Sequence, residues 1–272
     1  MTKITTKEIM KIGLSLAGWN KIPHDSYIHI NGSDIHKVFV SIDITIADII
    51  LAKNLGCDCI LTHHPIGYSL LNFHRVFDRH VEYMTTNGIP KTIAQKLVNK
   101  MKHKMSIKTH SLIYDDVISV CKMINMPILN IHQPLDEYMR RVILNNITKK
   151  SVYSVKDLVK SVECISEFKK SKTKIRIELG KLENKIDKMI LAIAAGTNGG
   201  YEIAKTYFSH DISTVIYLHI DYNDLMRLKL ENIPGNLVIL GHLAGDSIGM
   251  NAISNELEKK DILVVKKGII SD

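Results

Sequence analysis

The sequence predicts an α/β fold with mainly parallel or mixed sheets and helices on their faces, because Val- and Ile-rich runs alternate with segments of helical spacing. The clearest example lies near the N-terminus. Residues 37–45 predict a buried strand, and residues 46–56 predict a helix that ends at Gly56. Residues 57–65 predict a second strand, which Pro65 stops. Such a β-α-β unit has a right-handed crossover and parallel strands.

The rest of the first half continues the alternation of helices and strands. An amphipathic helix at the N-terminus is expected to begin after Thr5 or Thr6, because a threonine hydroxyl caps the first amides of a helix. The later predicted elements are one or two helices over 72–101 with a turn at 87–90, a helix over 112–126, a strand over 127–134 and a helix from Leu135.

A polar, Lys-rich stretch separates this half from a second one that repeats its pattern. We interpret residues 148–184 as a connecting region between an N-terminal half, residues 1–147, and a C-terminal half, residues 185–272. The second half is predicted to contain a strand that runs into a glycine-rich turn over 188–200, a strand that runs into a loop over 236–242, further strands over 212–219 and 262–268, and helices over 201–209 and 247–260. The match between residues 37–64 and 188–219 indicates an internal duplication.

The composition is that of an ordinary soluble globular protein, with 45% hydrophobic and 24% charged residues. The lysines behind the net charge of +8 are spread in pairs, which favours a solvated Lys-rich surface and leaves a nucleic-acid-binding surface open. The four cysteines lack C-x-x-C spacing, so we expect reduced thiols. Because the N-terminus carries charges throughout, we expect no signal peptide, no membrane segment and a cytoplasmic protein.

Histidines and aspartates stand at the ends of three predicted strands, where ligands gather in open α/β sheets. Neutral imidazole with carboxylate is a good ligand set for Zn, Fe, Mn, Co or Ni. The sequence therefore predicts a site for divalent metals at this edge. The residues are the adjacent pair His63 and His64, then His132 with Asp136 four residues later, and His242 with Asp246 four residues later.

Each of these residues also has a purely structural interpretation. A histidine at a strand end is often a hydrogen-bonded loop residue, and Asp136 or Asp246 can be a helix N-cap. The recurrence of the pattern at three strand ends favours metal, because caps do not require histidines. The glycine-rich run 196–200 can cradle a phosphate, but it lacks the P-loop lysine, so a tight strand-to-helix turn is the favoured interpretation.

At these residues the chain resembles the Nif-three-like dinuclear metal-centre family, the GTP cyclohydrolase I type 2 homologues. The order and spacing of the similar segments agree over nearly the whole chain. Those segments are SIDIT (41–45), CILTHHPIG (59–67), IHQPLDE (131–137) and GHLAGDSIGMNAISNELEKKDI (241–262).

The resemblance implies a site that holds two divalent metal ions per chain. His132 would lie beside the metals or face the substrate as a general acid or base, and His110 and Asp43 are further candidates for that surrounding. Asp246 stands where many members of the family have Glu. The metal ligands that the resemblance implies are His63, His64, Asp136, His242 and Asp246.

The resemblance also implies two interlinked α/β halves, a ring-shaped homohexamer and metal-dependent hydrolysis. The reaction would be of the GTP cyclohydrolase type or phosphoester hydrolysis by metal-activated water. Gln133 and Glu137 differ from the family's Thr and Asn, which bears on substrate contacts. The alternatives are a non-catalytic metal-binding protein that regulates or binds a partner, and a nucleic-acid-binding ring.

Overall fold

The computed structural model describes residues 3–193 and 199–271, so most of the glycine-rich run 196–200 lies outside the described residues. The chain divides into two compact units, each made of separate stretches of sequence. The first comprises Met1–Val76, Lys102–Tyr138 and Asp246–Ser271, and the second comprises Phe77–Met101, Met139–Gly245 and Asp272.

Helices and strands alternate along the chain, as an α/β fold requires. The helices are α1 (Thr6–Leu16), α2 (Ile46–Asn54), α3 (Gly67–Leu71), α4 (Asp78–Thr86), α5 (Lys91–His110), α6 (Asp116–Met123), α7 (Gln133–Thr148), α8 (Val155–Glu163), α9 (Ser166–Lys170), α10 (Gly200–Phe208), α11 (Tyr222–Leu230) and α12 (His242–Glu258), with a short 3₁₀ helix at Phe73–Phe77. The strands are β1 (Tyr27–Ile30), β2 (Lys37–Ser41), β3 (Cys59–Thr62), β4 (Ile128–Asn130), β5 (Arg176–Leu179), β6 (Met189–Leu191), β7 (Thr214–Tyr217), β8 (Asn236–Ile239) and β9 (Leu263–Lys267).

The sheet of the first unit has the order β1-β4-β3-β2-β9. Strands β2 and β3 are parallel neighbours joined by α2, which confirms the predicted β-α-β unit. Strand β4 continues the parallel arrangement beyond β3, and β1 closes that edge in the antiparallel direction. At the other edge β9 pairs in parallel with β2, so the last strand of the chain completes this sheet.

Local sequence signals explain where the β-α-β elements begin and end. Thr45 caps α2, and its side chain forms a capping box with Asp48, so β2 ends at Ser41 and not at residue 45 as predicted. Gly56 has a φ of 68°, the left-handed conformation that ends a helix. The side chains of β3 are all buried, as expected for a strand inside a parallel sheet.

The hydrophobic core of the first unit fixes α1 and α12 against the sheet. Helix α1 begins as predicted, because Thr5 caps it and forms a capping box with Glu8. Ile253 of α12 and Leu129 of β4 belong to one core cluster with Ile9 of α1. Helix α12 therefore reaches back to the sheet that carries β3 and β4.

The second unit has a smaller sheet with the order β5-β8-β7-β6. Strands β6, β7 and β8 are parallel, and β5 pairs with β8 in the antiparallel direction. Residues 148–184, which the sequence suggested as a connecting region, contain α8, α9 and β5. Within the described ranges, no helix combines the length and apolarity needed to span a bilayer.

Candidate metal centre

The adjacent histidines His63 and His64 stand where the chain leaves β3. The main-chain N–H of His63 donates to Ser41 O at 3.0 Å, and that of His64 donates to Ile42 O at 3.1 Å. The hydroxyl of Thr62 also donates to Ile42 O at 2.9 Å. The chain bends at these two residues, and the ring centroids of His63 and His64 lie 5.3 Å apart, so the two side chains do not point to opposite faces as they would in a continuing strand.

The Nδ1 atom of each of these two imidazoles has a hydrogen-bond partner. His63 Nδ1 lies 3.0 Å from the carbonyl oxygen of Ile131, and His64 Nδ1 lies 2.7 Å from Oδ1 of Asp43. A carbonyl oxygen only accepts, so His63 Nδ1 carries the proton and a neutral His63 has its lone pair on Nε2. Metal-binding histidines have this arrangement, in which the far ring nitrogen donates to a carbonyl or carboxylate.

His132 follows β4 and shows the same arrangement with a different carboxylate. Its Nδ1 lies 2.7 Å from Oδ2 of Asp25, a fully buried residue that precedes β1. Its main-chain N–H donates to Ser26 Oγ at 2.9 Å. The His132 and His63 rings lie 4.8 Å apart between centroids. The candidate acid or base is therefore part of the same cluster as the paired histidines.

Two buried aspartates face the Nε2 atoms of these histidines. His63 Nε2 lies 3.3 Å from Oδ1 of Asp136 and 3.9 Å from Oδ1 of Asp246. His64 Nε2 lies 3.3 Å from Oδ2 of Asp246, and His132 Nε2 lies 3.5 Å from Oδ2 of Asp136. Asp136 is the fourth residue of α7 and Asp246 the fifth of α12, so the interpretation of either as an N-cap is wrong.

Buried polar atoms of this cluster lack hydrogen-bond partners within the described residues of the protein, and a bound metal would satisfy them. His63 Nε2 and Asp136 Oδ2 are buried and have no hydrogen-bond partner in the described part of the chain. Unpartnered polar atoms in a protein interior cost free energy unless a ligand satisfies them. Ligand atoms of His63, His64 and His132 all lie within 4.8 Å of one another, and so do those of His63, Asp136 and Asp246.

His242 is placed by the helix that also carries Asp246. It is the exposed first residue of α12, and Asp246 follows one turn later on the same helix face. Their ligand atoms lie within 4.8 Å of each other. The ring of His219, which follows β7, lies 4.4 Å from the His242 ring between centroids.

Burial and charge act in opposite directions on the histidines. Burial lowers the pKa of His63 and His64, but the nearby carboxylates outweigh burial and leave both raised, that of His64 to about 10. Burial lowers the pKa of His132 to about 3 and raises the pKa of Asp25 to about 7. In the absence of metal, the carboxylates therefore favour the protonated form of the paired histidines, and a metal competes with these protons.

We expect the metal-free protein to lose stability as the pH rises from about 6.5 to about 10. The folded pKa of His64 lies above its ordinary value of 6.5, so its contribution is complete below pH 6.5 and is lost through about pH 10. Urea unfolding of chelator-treated protein across this range measures the loss. The His64→Gln variant lacks the titrating group and should lose less; equal losses in the two proteins would contradict the assignment.

The sequence also suggested Asp43 and His110 as residues that surround the metals, and the structure adds Asp25, which was not predicted. Asp43 contacts His64, as noted, although its side chain is 74% exposed. His110 is the exposed last residue of α5 and belongs to none of the three groups of ligand atoms found in the described part of the chain. Asp25 was not predicted, because it precedes a strand that the sequence pattern did not reveal and only the pairing of β1 with β4 brings it to His132.

Comparison with known proteins identifies the family. The chain matches Duf34/NIF3 (NGG1p interacting factor 3) over residues 28–267. A NIF3 superfamily protein from Sphaerobacter thermophilus is 34% identical, with a TM-score of 0.95 over 99% of this chain and 100% of that one. No curated protein matches the sequence.

More distant solved structures share the fold. A Bacillus cereus protein related to NIF3 is 11% identical, with a TM-score of 0.52 over 99% of this chain and 98% of that one. Reduced HcgD from Methanocaldococcus jannaschii is 11% identical, with a TM-score of 0.58 over 98% of each chain. Since the family match covers most of the sequence and its buried His/Asp cluster can hold metal, the chain belongs to the Duf34/NIF3 family.

Proposed function

We propose that this protein binds two divalent metal ions and uses them in hydrolysis. The observation that carries the proposal is the common orientation of three imidazoles, whose Nδ1 atoms have partners and whose Nε2 atoms face buried carboxylates. The residues that would hold the metals are His63, His64, Asp136, His242 and Asp246.

The distances suggest how these ligands divide between two ions. His63 and Asp136 form one imidazole–carboxylate pair at 3.3 Å, and His64 and Asp246 form another at the same distance. His242 joins the second pair because it shares a helix face with Asp246. Asp246 has a shorter side chain than the Glu of many relatives, yet it reaches the Nε2 atoms of both paired histidines.

The chemistry follows from the position of His132 in this cluster. When bound, two such metals lower the pKa of a water molecule towards neutrality and polarise the bond to be broken. His132 is neutral near pH 7, because burial lowers its pKa to about 3, and its Nε2 lies 3.5 Å from Oδ2 of Asp136. His132 is therefore the candidate general base or acid at the edge of the metal ligands. The side chain of His64 is 25% exposed and His242 is exposed, so this side of the cluster is in contact with solvent.

The experiment that tests this proposal measures metal first and turnover second. The protein is purified without chelator, and its metal content per chain is determined by mass spectrometry. We expect about two first-row metals per chain, for the two imidazole–carboxylate pairs. Protein loaded with Mn or Zn is then assayed with GTP and with a panel of phosphoesters. Absence of metal, even after incubation with Zn, Mn or Fe(II), would overturn the proposal.

A second candidate is a non-catalytic metal protein that binds a partner. The family description, NGG1p interacting factor 3, names a protein interaction. Metal without turnover of GTP or any phosphoester would favour this function. Analytical ultracentrifugation tests the homohexamer that the resemblance implies, and DNA or RNA binding that weakens steeply with salt would favour a nucleic-acid-binding ring.

A further inference from the structure

Asp25 is a fully buried carboxylate beside the cluster, and the proposed metal ligands do not include it. It lies in the loop before β1. Its Oδ2 is 2.7 Å from His132 Nδ1, and the hydroxyl of Ser26 donates to its Oδ1 at 3.4 Å. Its main-chain carbonyl accepts a hydrogen bond from Asn130 Nδ2 at 2.7 Å. The carboxylate is therefore fixed through both its side chain and its main chain.

His132 is held at two points by two consecutive residues. Asp25 binds its ring and Ser26 binds its main-chain N–H. Either bond would tie the loop before β1 to the end of β4, so fold stability alone does not require both. What the ring bond adds is control over which way the imidazole faces and which nitrogen carries the proton.

The burial of Asp25 also needs a compensating charge. The Asp25 side chain contacts the imidazole of His132, which is neutral near pH 7, and no lysine or arginine in the described part of the chain forms an ion pair with it. A buried carboxylate without a cationic partner is costly. A positive charge near His132 Nε2, the other nitrogen of the same imidazole ring, would lower the free-energy cost of burying the Asp25 carboxylate. That nitrogen faces Asp136 and the ring of His63.

We propose that Asp25 is a positioning residue that keeps the proton of His132 on Nδ1, so that the Nε2 lone pair points into the metal cluster. This inference rests on the proposed metal centre for its purpose, but the position of the proton does not depend on bound metal. The proposed metal centre and the proposed role of Asp25 can therefore be refuted independently.

The first test is the tautomer of His132 in metal-free protein. Nitrogen-15 NMR distinguishes a protonated ring nitrogen from one with a lone pair, and the His132→Gln variant identifies the signals by their loss. We expect Nδ1–H in the wild type and a mixture of tautomers in Asp25→Ala. A Ser26→Ala variant removes the hydrogen bond to the His132 main chain and the long 3.4 Å bond to Asp25 Oδ1, but it keeps the bond between Asp25 Oδ2 and His132 Nδ1, so it should leave the tautomer unchanged.

The second test is metal affinity, with Asp43→Asn as the matched control for Asp25→Asn. Both substitutions replace a carboxylate 2.7 Å from a histidine Nδ1 by a neutral amide, but Asp43 is exposed and Asp25 is buried. Removal of the carboxylate partner of a metal-binding histidine typically weakens metal binding by about 10–100-fold. Asp43 is such a partner of the proposed ligand His64, whereas His132, the partner of Asp25, is not among the proposed ligands. We therefore expect Asp43→Asn to weaken metal binding more than Asp25→Asn does, because Asp25 sets the tautomer of His132 and holds no proposed ligand. An equal or larger loss in Asp25→Asn would contradict this assignment.

Each outcome of these tests either supports the positioning role of Asp25 or contradicts it. Wild-type His132 protonated on Nε2, or Asp25→Ala protein in which His132 keeps its proton wholly on Nδ1, overturns it. If Asp25→Asn or Asp25→Ala does not fold, the wild-type tautomer decides alone. If the wild type binds no metal, the proposed function fails, and the tautomer still shows whether Asp25 positions His132.

Discussion

The substitution His63→Ala is expected to remove both metal ions, the largest single effect on the proposed centre. His63 Nε2 lies 3.3 Å from Oδ1 of Asp136 and 3.9 Å from Oδ1 of Asp246, so it faces the carboxylate of each proposed imidazole–carboxylate pair. The residue is completely buried and its ring is fixed by the carbonyl of Ile131, so no other side chain can take its place. Loss of one ligand also leaves the two buried carboxylates with less compensating charge.

Metal content per chain and urea unfolding, measured on the same preparations, check this expectation. His210→Ala is the control, because His210 bonds the carbonyl of Thr206 in the second unit and lies outside the ligand groups. It should retain the wild-type metal content. His63→Gln preserves side-chain volume and separates the loss of a ligand from the loss of packing. A folded His63→Ala protein that keeps two metals would exclude His63 as a ligand.

Gly249→Ala is expected to lower the free energy of unfolding and to disturb the metal site together. A Cβ at Gly249 would lie 2.8 Å from the main-chain oxygen of Leu135, and main chain cannot rotate away. Leu135 precedes Asp136, and Gly249 lies three residues after Asp246, so this close approach sets the separation of the two carboxylates. The methyl group would therefore push α12 away from the start of α7.

The magnitude follows from two opposing effects. Overpacking a core costs about 1–3 kcal/mol, whereas alanine in place of a helical glycine contributes up to about 1 kcal/mol of stability. We expect a net loss of about 1–2 kcal/mol in urea unfolding, with weaker metal binding. Gly13→Ala is the matched control, because its Cβ would meet only side-chain atoms, the nearest being the ends of the Ile131 side chain at 2.9 Å. Equal effects of the two substitutions would contradict this account.

Much of the site was predictable because its residues follow recognisable strands. The Val- and Ile-rich β2 and β3 and the Gly56 helix end identified the β-α-β unit, and with it the position of His63 and His64. The prediction that helix α12 begins near residue 247 was five residues late. Helix α12 begins at His242, because glycines at 245 and 249 weaken the helical signal although both lie within the helix.

The sequence by itself determined the alternation of strands and helices, the strand ends that carry histidines and the His-x-x-x-Asp spacing, because these depend on residues close together in the chain. Tertiary structure alone decided that β9 completes the first sheet, that Asp25 meets His132 and that Gly249 packs on Leu135. The partners in each of these contacts are more than 100 residues apart in the sequence. No local pattern encodes such distances, so the orientation of the imidazoles follows only from the folded chain.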